Sequence, residues 1–93
     1  TVNSSVSRDI LKCRNSFKKY QGYLKKGGYY AFGGSFAISN DGRFCGMSNV
    51  SYSGKNRLQA SMNLALDWCN SSRKHAGVSG SCRIIHKIIR KPK

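Results

Sequence analysis

The sequence predicts an α+β domain: a helix, a β-hairpin, a second helix and a last strand, forming a three-stranded antiparallel sheet with both helices on one face. Three observations predict it. Apolar residues recur at intervals of three and four near the N-terminus. They alternate with small residues in the middle, and they form a β-branched run near the C-terminus. Ninety-three residues make one domain, residues 1–93, at the small end where a single core is marginal.

Ser7 is expected to cap the first helix, with Asp9 at the positive end of its dipole. Ile10, Cys13, Phe17, Tyr20 and Leu24 then share one apolar stripe. Arg8, Lys12, Lys19 and Lys26 lie opposite, flanked by Arg14, Lys18 and Lys25, and Gly27-Gly28 stops the helix. In YYAFGGSFAISNDGRFCGMSNVSY, residues 29–52, Tyr30, Phe32, Phe36 and Ile38 share one parity. Ala31, Ser35, Ala37 and Ser39 take the other, the pattern of a half-buried strand. Asn40-Asp41-Gly42 supplies a hairpin turn, after which Phe44, Val50 and Tyr52 continue the apolar face. Neither Lys-Ser/Thr nor a helix follows Gly33-Gly34, so this pair reads as a bulge or sheet bend rather than a phosphate-cradling loop.

The second helix is expected after Ser53, with Leu58, Met62, Ala65, Leu66 and Cys69 on its apolar face and its end at Asn70-Ser71-Ser72. Met62 and Trp68 read as core and edge packing. In CRIIHKIIR the four isoleucines also fit helical spacing, but β-branched residues after a Gly/Ser turn favour a strand. A right-handed crossover through the second helix sets that strand beside the first, for the order 2-1-3.

Charge is the strongest compositional signal. Against 17 Lys and Arg stand 3 acidic residues, for a formal net charge of +14. Residues 1–28 carry +6 and residues 73–93 carry +7, so a near-neutral centre separates two cationic ends. Such a field attracts polyanions, although the same charge also serves solubility. No apolar run approaches the ~18 residues that span a bilayer, so no transmembrane segment is expected. The polar start, Thr1-Val2-Asn3-Ser4-Ser5, fits a mature exported chain or an excised domain.

Cys69 and Cys82 flank a loop that contains His75. As zinc ligands, Cys69, His75, Cys82 and His86 have poor spacing, since only Cys82 and His86 resemble half of a usual site. As a nucleophile, Cys69 sits on an apolar helix face in a chain with few acids to orient a base. As a disulfide, the pair ties the second helix to the last strand, which suits a small domain of an oxidising compartment. Cys13 and Cys45 would then pair, pinning the first helix to the hairpin for roughly 3–4 kcal/mol of loop-closure entropy. Four cysteines allow three pairings.

CRNSFKKYQGYL, FAISNDGRFCGMS, ASMNLALDWC and GSCRII together resemble a family of small exported bacterial domains of unknown function. The resemblance spans about residues 13–86. It implies an α+β fold, export to an oxidising compartment and a Cys69–Cys82 bridge, and it implies no activity. The chain departs from that pattern in its basicity and in the longer, Gly-rich YYAFGGSFAIS.

The first functional expectation is an exported, secreted or periplasmic cationic monomer that binds anionic cell-envelope polymers, as an antimicrobial or toxin. Its binding candidates are Lys12, Arg14, Lys18, Lys19, Lys25, Lys26, Arg73, Lys74, Lys87, Arg90, Lys91 and Lys93. The partner is lipopolysaccharide, acidic lipid or nucleic acid, and no metal, cofactor or catalytic residue is assigned. Extracellular nucleic-acid binding is the first alternative, with Tyr20, Tyr23, Tyr29, Tyr30 and Tyr52 as stacking candidates. A small secreted ribonuclease would use His75 and His86 as acid and base, with Lys74 or Lys87 on phosphate. A partner-binding inhibitor module is the fourth reading.

Overall fold

The computed structural model describes residues 3–90, with side chains from Val6 onward. Its elements are α1 (Asn3–Lys26), β1 (Gly33–Ser39), β2 (Cys45–Asn49), α2 (Arg57–His75) and β3 (Cys82–Ile89), with a short 3-10 turn at Gly28–Tyr30. The sheet order is β2-β1-β3 and both pairings are antiparallel, as the sequence predicts.

The two helices do not share a face, and this corrects the expected layering. Neighbouring residues of a strand point to opposite sides of a sheet. On central β1, Phe36 packs with Tyr20 and Leu24 of α1, whereas the next residue, Ala37, packs with Ala65 and Cys69 of α2. The sheet is therefore sandwiched between the helices. β1 is correspondingly buried on both sides instead of half-buried.

The two faces differ in texture. Toward α1 the contact is aromatic, with Phe17 and Phe36 rings at 5.0 Å and Tyr20 and Phe36 rings at 5.5 Å. Toward α2 the residues are small. A methyl group on Gly46 would collide with the Ala65 carbonyl and the Cys69 amide, so only glycine lets α2 settle onto β2. Ser61 shares a 3.0 Å hydrogen bond with Ser35 inside this layer. Both expected disulfides are present, Cys13–Cys45 holding α1 and Cys69–Cys82 holding α2, with Cα separations of 5.8 and 6.1 Å.

Element ends account for the remaining differences. α1 already begins at Asn3, so Ser7 lies inside it, and Asp9 pairs with Arg43 instead of serving the first turn. β2 stops at Asn49: Phe44 and Val50 flank it, and Tyr52 is exposed beyond it. α2 runs through Asn70-Ser71-Ser72 to His75. It ends in a Schellman motif, in which the Val78 and Gly77 amides donate to the Arg73 and Lys74 carbonyls and Gly77 takes φ 72°. Gly33-Gly34 is not the bulge. A side chain on Gly33 would strike the Ile88 carbonyl of β3, so the glycine is needed for close strand approach. In the turn, the Ser39 hydroxyl accepts from the Arg43 and Phe44 amides and donates to Asp41, which holds the Asp41 carboxyl below its usual range.

Candidate functional site

A helix about 10–12 Å wide cannot cover three strands spaced about 4.8 Å apart, so α1 leaves a groove along each flank. On the β3 flank lies a cavity of about 650 Å³, lined by Lys18, Gln21, Lys25, His86, Ile88 and Arg90. Lys18 and Gln21 also line a neighbouring space of about 430 Å³, whose other walls include Leu11, Arg14, Phe17, Ile38 and Ile85. The two are successive parts of one groove. The β2 flank has a smaller cleft of about 320 Å³ with Asp9, Lys12, Arg43 and Trp68.

A β-bulge on β3 builds the wall of the larger groove. Phe36 pairs with His86 while Ala37 pairs with Ile84, so Ile85 has no partner across the ladder. The extra residue reverses the faces of the strand. Before it, Cys82 and Ile84 pack toward α2; after it, His86 meets Tyr20 and Ile88 packs into the α1 layer. The bulge thus aims Ile85 and His86 at the groove.

Two hydrogen bonds fix the groove's C-terminal end. Buried Tyr20 shares a 2.7 Å hydrogen bond with His86 Nδ1. Burial, reinforced by neighbouring Tyr30, pushes the Tyr20 phenol above its usual range, so it stays neutral. Arg90 donates through Nη1 to the Leu24 carbonyl at 2.7 Å, using one of its five donors to bridge β3 to the last turn of α1.

The acids lie elsewhere. Asp9 accepts from Arg43 Nε and Nη2 at 3.1 and 3.0 Å on the β2 flank. Asp41 is in the hairpin turn, and Asp67 is exposed on α2, across the sheet. Among the described residues, no acidic side chain lines the β3 groove, and its charged lining residues are all basic.

The structure sorts the predicted binding residues. It brings Arg14, Lys18, Lys25 and Arg90 together in the groove. Lys12 lies on the opposite flank, while Lys19, Lys26, Lys74 and Lys87 are exposed on their elements. Arg73 is half-buried and ties the loop after α2, donating to Val78 at 2.8 Å and to Asn70 at 3.3 Å. Arg90, one of the binding candidates, follows directly after β3 and is anchored through its side chain to Leu24 and through its amide to Phe32. Lys91, Pro92 and Lys93 lie outside the described residues. His75 ends α2 on one side of the sheet and His86 faces α1 on the other, so they do not form a pair. The cysteines of the weighed zinc set are bonded to each other.

Gln21, Leu11 and Ile85 were not singled out as site residues in the sequence. The signal for Leu11 was an apolar residue off the helix stripe, and for Ile85 it was the double isoleucine that a bulge resolves. No family model, curated protein or solved structure matches the chain.

Proposed function

We propose that this is an exported cationic domain whose groove between α1 and β3 binds anionic polymers of a cell envelope, as an antimicrobial protein or toxin does. One observation carries the reading. Arg14, Lys18, Lys25 and Arg90 converge on a concave surface that no acidic side chain of the described residues lines, while Asp9 is paired with Arg43 elsewhere. Convergent cations around a cleft concentrate anions far more than the same charges scattered on a convex surface. Two disulfides suit an oxidising compartment, and no helix among the described residues is long and apolar enough to cross a membrane. The separation of His75 from His86 favours binding over acid–base catalysis.

The test is a binding panel of lipopolysaccharide, acidic-lipid vesicles, DNA and RNA at two salt concentrations. The envelope components should be held at low salt and largely released at high salt. Failure of both lipopolysaccharide and acidic-lipid vesicles to bind at low salt would end the reading.

One observation favours nucleic acid as a second reading. Tyr23 and Tyr30 stack at 5.4 Å where α1 ends, its last turn carries Lys25 and Lys26, and Tyr29 is exposed in the turn that follows. Under that reading, Tyr29→Ala weakens DNA or RNA retention by roughly the 1–3 kcal/mol of a base–aromatic stack. Unchanged retention removes it.

A further inference from the structure

We infer that the occupant of the groove is a single anionic lipid, with its phosphate head in the cationic half and one acyl chain along the apolar half. The inference rests on the polyanion reading and narrows it from a charged polymer to an amphiphile.

The two halves of the groove differ in chemistry. The C-terminal half presents Lys18, Lys25 and Arg90 with His86, a set that suits a phosphate. The other half keeps Arg14 on its wall but is otherwise lined mainly by apolar groups, Phe17, Phe36 and Ile38 together with the exposed Leu11 and Ile85. Leu11 is 55% exposed and Ile85 43% exposed, and each alone would be an ordinary surface residue. Here they face one trough from two different elements. A polymer of charges alone leaves that apolar surface in water, whereas an alkyl chain covers it.

Dimensions and position agree. From Leu11 to Lys25, α1 rises about 21 Å at 1.5 Å per residue, room for a headgroup followed by a medium-length chain. Lys18 and Gln21 line both halves, so head and chain can be continuous. Lys25 also sits in the last turn of α1, where the negative end of the helix dipole favours positive charge. A concave, largely apolar site with a few convergent polar groups is the usual form of a small-molecule site.

The experiment is calorimetric titration at one salt concentration with dodecyl phosphate below its micelle-forming concentration, butyl phosphate, inorganic phosphate and dextran sulfate. Dodecyl phosphate should bind at least about 100-fold more tightly than inorganic phosphate, with butyl phosphate between them. Leu11→Gln and Ile85→Gln should each weaken dodecyl phosphate about tenfold and leave dextran sulfate within about twofold, while Lys18→Gln weakens both. Leu11 is exposed on a helix, so Leu11→Gln decides the matter even if circular dichroism shows Ile85→Gln to be misfolded. Equal affinity for dodecyl and inorganic phosphate, with dextran sulfate still bound, overturns the lipid inference and leaves the polymer reading standing. Dodecyl phosphate binding that is indifferent to Leu11→Gln places the chain elsewhere and also overturns it. Loss of dextran sulfate binding by the parent protein itself overturns the polymer reading beneath.

Discussion

Tyr20 and His86 are 66 residues apart in sequence and 2.7 Å apart in space. Removing the hydroxyl by Tyr20→Phe leaves His86 Nδ1 without that partner and should cost about 0.5–1.5 kcal/mol in chemical denaturation. The pH dependence has a definite sign. The folded phenol titrates above the ordinary value near 10, so the unfolded chain loses its proton first. The contribution is fully present below about pH 10 and declines as pH rises beyond it. Tyr20→Phe should therefore fall off less steeply than the parent above pH 10, and identical alkaline profiles would show that burial does not hold the phenol neutral. His86 is legible in sequence as a strand residue. Its partner is not, because the double isoleucine before it hints at a bulge but does not say which helix residue the bulge turns His86 toward.

At the level of elements, the two helices are held by different means. α2 lies against backbone, and Gly46→Ala should cost about 1–3 kcal/mol, since the atoms it meets are the Ala65 carbonyl and the Cys69 amide rather than flexible side-chain ends. A stability change near zero would contradict the close docking of α2. α1 stands off on aromatic rings and the Cys13–Cys45 bond. Replacing both of these cysteines by alanine should lose about 3–4 kcal/mol, and hydrogen exchange should quicken in α1 before the α2 side. Uniform loosening of both helices would contradict that division. The apolar stripe of α1 and the first hairpin strand were legible because each shows one clean period. The last strand was legible from its β-branched residues after a Gly/Ser turn, since its isoleucines also fit helical spacing. The layering was not. Ser35, Ala37 and Ser39 read as a solvent face, yet small residues also mark the place where another backbone comes close. The end of α2 was missed for a related reason. Asn70-Ser71-Ser72 is polar enough to break a helix, but the stop is Gly77, whose positive φ completes the motif.

For the whole molecule, the charge total was legible and its placement was not. A net charge of +14 says that anions are attracted, while the fold decides which cations converge. Arg73 and Arg90 show the difference: both counted as surface cations in sequence, and both are partly engaged in holding loops and helix ends. Under the proposed function, the β3 groove, rather than total charge, holds the anion. The direct measurement compares two variants with equal loss of charge, Arg14→Gln, Lys18→Gln and Lys25→Gln together against Lys12→Gln, Lys55→Gln and Lys74→Gln together, by titrating acidic-lipid vesicles over a salt series. The groove variant should bind weakly at every salt concentration, with a salt slope flatter by about one per lost contact, while the other variant keeps most of the parent's affinity and slope. Equal losses in the two variants would contradict the account, since net charge alone would then explain the binding.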